Sequence, residues 1–325
     1  MALAAVDALD DAYRATDAFL RPVDRGRWLR LALIGLFVGP PAANASGLQW
    51  SVPADETPAP GGPVDVPAEV WVAVAAAVVV AVALVLALLF VGSVMEYVLV
   101  ESLREESVAI RAYWRRYVRR GASLFVFRLV VGLAVLAAVA LLAALVFAPV
   151  AVGIGAASVV FFAVVLIPVF LALALVVGVV SSFTTAFVVP VTVCEDCGVL
   201  AGWRRFWPTL TAEWREFLAY AVLAFLLGVV GSAAVAVVTA LLAVVLAIPA
   251  AVLGALAFGL FVLFAPVGVA AFVVVGVGFA LAVVAVAAVV QVPVVVYLRY
   301  YALLVLGETD ERFDLIPQRR AAVRD

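Results

Sequence analysis

The sequence predicts an all-α protein, a polytopic transmembrane helical bundle of three two-span hairpin repeats joined by cytoplasmic amphipathic elbow helices. Three observations carry that expectation. Hydrophobic residues make up 68% of the 325 and charged residues only 13%, against roughly half and a quarter in soluble domains. Several uncharged runs exceed the about 20 residues that a bilayer-spanning helix needs. A basic-aromatic motif also recurs where such runs meet polar sequence. No soluble core could bury this much apolar surface, so lipid must be the solvent for much of it.

The charge pattern narrows the class further. All 20 basic residues are Arg, His is absent, and the formal net charge is −2. Lysine avoidance, acidic loops and Ala/Val-rich spans point to a salt-adapted, haloarchaeal source. Asp7, Asp10, Asp11 and Asp17 give the first 20 residues the wrong charge for a signal-peptide n-region, so the N-terminus is expected to be retained.

In chain order, 1–27 is an amphipathic segment, with Val6, Leu9, Tyr13 and Leu20 at helical spacing, expected to lie on the membrane surface and stop at Pro22. The first repeat, 28–100, has a span from about Trp28 to Gly39-Pro40-Pro41, a polar loop at 44–69, and a span at about 70–100. The second, 101–193, opens on the basic elbow ESLREESVAIRAYWRRYVRRG and continues with spans at 122–148 and 168–193. The third, 194–299, begins with CEDCGVLAGWRRFW and has a span at 217–248 and another that ends near Arg299. The remainder, 300–325, reads as a soluble cytoplasmic tail.

Two short apolar pieces, 150–166 and 250–264, lie between prolines and are close to or below spanning length. They read as re-entrant or interfacial rather than as a seventh and eighth span. Six spans place every Arg on one face, and the positive-inside rule then puts both termini in the cytoplasm of a multi-pass cell-membrane protein. Eight spans would strand Arg204 and Arg205 outside.

The repeat rests on matched elbows. Trp114, Arg115, Arg116 and Tyr117 align with Trp203, Arg204, Arg205 and Phe206, and in that register Glu106 meets Glu195. VPVTVC (189–194) echoes VPVVVY (292–297), and FAPV occurs at 147–150 and 264–267. The signatures VPVTVCEDCGVLAGWRRFWPTLTAEW (189–214) and VYLRYYALLVLGETDERFDLIP (296–317) resemble a haloarchaeal family of multi-spanning membrane proteins of unknown function. The elbow-then-span pattern more loosely resembles the membrane domain attached to some glycerophosphodiester phosphodiesterases. The resemblance implies repeated helical architecture and no catalytic residues; the chain has neither a soluble domain of phosphodiesterase size nor its His and carboxylate clusters.

The chemistry-bearing residues are few. Cys194 and Cys197 form a C-x-x-C, but structural zinc wants four ligands and the chain has two Cys and no His. A four-Cys site across a dimer and a redox dithiol are the alternatives to an ordinary elbow. Glu96 and Arg128 are charges within spans, close to the same face, and suggest an ion pair or a polar path. Gln291 beside Pro293 marks a kink. Asn44-Ala45-Ser46 is a glycosylation sequon on the outer face. No catalytic constellation, cofactor motif or metal set is expected. Arg111, Trp114, Arg115, Arg116, Trp203, Arg204 and Arg205 are the candidate interface, with membrane lipids carrying anionic headgroups, or partner proteins, as its targets rather than nucleic acid. The chain thus reads as a non-enzymatic membrane component, with a permease-like protein using Glu96, Arg128 and Gln291 as the alternative.

Overall fold

In lipid a backbone N–H or C=O finds no water, so a spanning segment must satisfy its polar groups within itself. This outweighs the weak helix preference of valine. The apolar runs are accordingly helical in the computed structural model, which describes residues 4–38, 67–151 and 157–324, and no strand occurs among the described residues. The elements are α1 (Ala4–Leu20), α2 (Arg25–Val38), α3 (Ala68–Arg104), α4 (Ile110–Ala151), α5 (Ala157–Phe183), a π-helical turn (Thr184–Val188), α6 (Val189–Cys194), α7 (Val199–Ala212), α8 (Trp214–Leu263), α9 (Ala265–Val290), α10 (Val292–Thr309), a 3-10 turn (Glu311–Phe313) and α11 (Pro317–Arg324). Among the described residues, five stretches are long and apolar enough to cross a membrane: Ala68–Arg104, Ile110–Leu145, Val164–Cys194, Trp214–Leu263 and Ala265–Thr309. The protein is an all-α polytopic helical membrane protein.

Several boundaries differ from those the sequence suggests. The basic stretch 101–121 does not form its own surface helix: α4 begins at Ile110 and runs unbroken through Gly121 to Ala151. Only the second elbow carries a separate helix, α7, which stops where Glu213 leaves helical geometry (φ −113°, ψ 38°). The piece 250–264 is no re-entrant segment but the end of the 50-residue α8, which passes Pro249 without a break. Likewise α5 continues through Pro168, so that proline is no boundary either. Prolines are tolerated in lipid-facing helices because side chains and local adjustments re-satisfy the freed backbone. Tyr297, which the VPVVVY echo places at a span exit, lies inside α10, and that helix carries on to Thr309. Asn44 and most of the polar loop lie outside the described residues.

The chain divides into two units. The first comprises Met1–Phe19, Ser93–Ala224 and Tyr297–Asp325. Its core is aromatic: Phe187 packs on Phe206, Phe217 and Tyr220 at centroid distances of 5.4, 5.0 and 4.6 Å. Tyr220 stacks on Tyr301 at 5.1 Å, and Tyr97 on Tyr117 at 5.8 Å. α3 and α4 meet at Gly121, where a Cβ would stand 2.5 Å from Val94 Cγ2. Tyr300 to Leu306 are all buried, so the first residues of the supposed soluble tail belong to this core.

The first unit also holds α1. Its buried face is an alanine stripe, Ala5, Ala8, Ala12 and Ala15, completed by Phe19, whereas Val6 and Tyr13 are exposed. Small side chains let the helix backbone come close to its neighbours. The Tyr301 hydroxyl donates to the Ala5 carbonyl at 2.8 Å, and Arg324 Nε lies 2.9 Å from Asp11 Oδ2.

The second unit comprises Leu20–Gly92 and Phe225–Val296. α2 buries Leu31, Ile34 and Gly35 and packs on α9. α8 gives way to α9 at the extended Phe264 (φ −146°, ψ 91°), with Pro266 in the first turn of α9. The turn is tight enough that a Cβ on Gly268 would fall 2.1 Å from Phe261 Cα.

Candidate functional site

The polar centre of the first unit is built around Glu96 on α3, which is only 2% exposed. One carboxylate oxygen takes a hydrogen bond from Arg128 of α4 at 2.9 Å, and the other is bound by Arg299 of α10. Arg128 also donates to Thr185 Oγ1 at 3.3 Å, and Arg299 donates to the Thr185 carbonyl. The sequence points to Glu96 and Arg128; Arg299 is missed because it sits at the presumed end of a span.

Thr185 can serve both arginines because the helix is wound wide there. Proline at position 190 lacks an N–H, and its ring would clash with the carbonyl four residues back. Between Phe183 and Pro190 the chain instead makes a π-turn, with the Val189 N–H bonding the Thr184 carbonyl. Such bulges frequently mark functional sites. Pro293 acts similarly in the second unit: α9 stops at Gln291, whose N–H bonds the Ala287 carbonyl, and α10 starts afresh. Gln291 is buried, and its Nε2 has no partner among the described residues. It belongs to the second unit, Glu96 and Arg128 to the first.

The elbow arginines divide into pinned and unpinned sets. Arg116 binds Glu101 Oε1 at 2.9 Å, and Glu101 is fully buried. Arg205 pairs with Glu195, and Arg120 with Asp196. Trp203 turns inward, donating its indole N–H to Thr184 Oγ1 on the π-turn at 3.0 Å. Trp114 is half-buried. Arg111, Arg115 and Arg119 are exposed, and none has an ion pair among the described residues; the same holds for Arg204. Spaced four apart, the first three follow one face of α4.

The turns themselves are tied together. Glu106 (φ 51°) and Asp196 (φ 50°) both adopt the left-handed conformation after a helix end, which costs a non-glycine residue roughly 1–2 kcal/mol. Backbone geometry therefore matches Glu106 with Asp196 rather than with Glu195, because the second elbow is one residue shorter before its helix. Each turn is held by the helix that follows another. Arg120 of α4 reaches Asp196, Thr209 of α7 donates to Asp310 at 3.0 Å, and Arg319 of α11 lies 3.3 Å from Glu106. These three contacts close a cycle. Hydrogen bonds from Arg312 hold the Asp310 carboxyl below the usual carboxylate range.

Cys194 ends α6 and is exposed, while Cys197 is half-buried beyond the turn; both are free thiols. Burial, assisted by Glu195 and Asp196, raises the Cys197 thiol pKa against the opposing pull of Arg205 and Arg120. No cluster of three or more His, Cys, Asp or Glu in a metal-holding arrangement occurs among the described residues.

The model of a family of unknown function, DUF7544, matches residues 3–316. The chain belongs to that family. The part shared with DUF7544 contains Glu96, Arg128, Thr185, Arg299 and all the elbow arginines, and it ends just before α11. DUF7544 brings no link to the membrane domain of glycerophosphodiester phosphodiesterases and says nothing of source. No curated protein and no solved structure matches the chain.

Proposed function

We propose that this DUF7544 member is a non-enzymatic component of the cell membrane that gathers anionic lipid headgroups at the cytoplasmic face. The observation that carries the proposal is the stripe of Arg111, Arg115 and Arg119, exposed and without carboxylate partners among the described residues, while Arg116 and Arg120 beside it are neutralised by Glu101 and Asp196. An arginine near an anionic membrane surface contributes about 1 kcal/mol of attraction. The guanidinium fork suits a phosphate better than a point charge does.

The sidedness follows from parity. α1 touches α11 through Asp11 and Arg324, so both ends of the chain lie on one side and an even number of crossings separates them. Among the described residues five stretches are long and apolar enough to cross, and the proposal adds a sixth crossing, the first span that the hydropathy pattern suggests. The arginine-rich ends of the spans then face the cytoplasm.

The test is lipid titration of the purified protein in detergent, read by native mass spectrometry. Phosphatidylglycerol should bind more tightly than phosphatidylcholine, with a preference that shrinks as ionic strength rises. The R111Q/R115Q/R119Q variant should bind phosphatidylglycerol at least tenfold more weakly, with phosphatidylcholine unchanged. Equal affinity of the wild-type chain for both lipids would refute the proposal.

A further inference from the structure

A groove of about 370 Å³ opens in the first unit where α5, α7 and α8 converge. Val180 and Phe183 of α5, Trp203 and Trp207 of α7, and Trp214 and Phe217 of α8 line it. Every lining residue is apolar, so a polar ligand would lose its hydration with nothing to replace it. Hydrocarbon is the chemistry that fits. α5 and α8 belong to stretches able to cross a membrane, and Trp207 and Trp214 remain 58% and 55% exposed, as aromatic residues of an interfacial belt do.

Charge sits beside the aromatic walls. Arg204 follows Trp203 in α7, and the Arg215 guanidinium lies 5.6 Å from the Trp214 ring centroid. Neither arginine has a carboxylate partner among the described residues. A single phospholipid satisfies both features, with one acyl chain along the tryptophans and its phosphate at Arg215, whose guanidinium lies against the Trp214 wall. We infer that this groove seats one acyl chain of an anionic membrane phospholipid, with Arg215 as its headgroup anchor. The headgroup half of the inference rests on the function proposed above; the chain seat does not.

Photo-crosslinking of the full-length purified protein distinguishes the two halves. The probes are phosphatidylglycerol and phosphatidylcholine, each with a diazirine in one acyl chain, and labelled peptides are mapped by mass spectrometry. With phosphatidylglycerol, labelling should concentrate on 179–183 and 214–221 and exceed that of the lipid-facing stretches 169–175 and 237–245 at least fivefold. Ala221→Trp, which fills the groove, should remove at least nine-tenths of that excess; Trp207→Ala, which opens one wall, should also reduce it. Labelling spread evenly over the lipid-facing stretches, or unchanged in both variants, would overturn the seat. Groove-centred labelling of equal strength with phosphatidylcholine would overturn the anionic anchoring alone.

Discussion

At the scale of single residues, Glu96 is the point on which the polar centre turns. Breaking a buried ion pair by removing one partner typically costs about 3–5 kcal/mol, since the other charge is left uncompensated. Glu96→Gln leaves two arginines facing each other, one of them, Arg299, only 7% exposed. The variant should lose about 3 kcal/mol or more in a denaturant or thermal unfolding series. Adding Arg299→Met should restore much of that loss, whereas adding Arg128→Met should restore less, because Arg128 is 26% exposed and reaches solvent. Strictly additive losses in either double variant would contradict the coupling. The sequence shows half of this centre: lone charges in apolar runs announce themselves, and Glu96 with Arg128 was legible for that reason. Arg299 was not, because a charge followed by a polar tail looks like the end of a span. The wide turn at Thr184–Val188 was signalled only by Pro190.

At the scale of elements, α1 and the elbows show what hydropathy misjudges. Val6, Leu9, Tyr13 and Leu20 mark the face expected to lie on the membrane surface, and Val6 and Tyr13 are exposed, but the face that docks on the protein is the one carrying Ala5, Ala8, Ala12 and Ala15. Close approach of backbones needs small residues, and a scale that counts only apolar area cannot see that. Overpacking a well-fitted contact costs typically 1–3 kcal/mol. Ala12→Leu should therefore speed hydrogen exchange across 4–20 by at least tenfold while leaving exchange at Tyr97–Leu103 of α3 unaffected. Unchanged protection across α1 would show that the stripe is not what holds it. The first elbow differs from its sequence pattern for a related reason. Its aromatic and arginine periodicity is amphipathic, but nothing between Ile110 and Gly121 breaks a helix, so the segment simply extends α4. The second elbow has a stop at Glu213, and there a separate helix forms.

At the scale of the whole molecule, the class was legible at once, because no other solvent than lipid accommodates a chain 68% hydrophobic. What composition could not give was where helices end, since proline in lipid is not the punctuation it is in water. α8 alone is 50 residues long, about 75 Å at 1.5 Å per residue, more than twice a hydrocarbon core of about 30 Å. The continuity of α4 also sharpens the central claim. Because the arginine stripe runs along the axis of a spanning helix, Arg119 lies nearest the apolar run and Arg111 about 12 Å further out. That exceeds the Debye length of about 8 Å at physiological ionic strength. The most direct measurement is phosphatidylglycerol affinity by native mass spectrometry for Arg119→Gln, Arg115→Gln and Arg111→Gln, each alone. Headgroup capture at the span end predicts losses that fall in that order, with Arg119→Gln weakening binding several-fold and Arg111→Gln leaving it nearly unchanged. Losses that are equal at all three positions, or absent at Arg119, would contradict it.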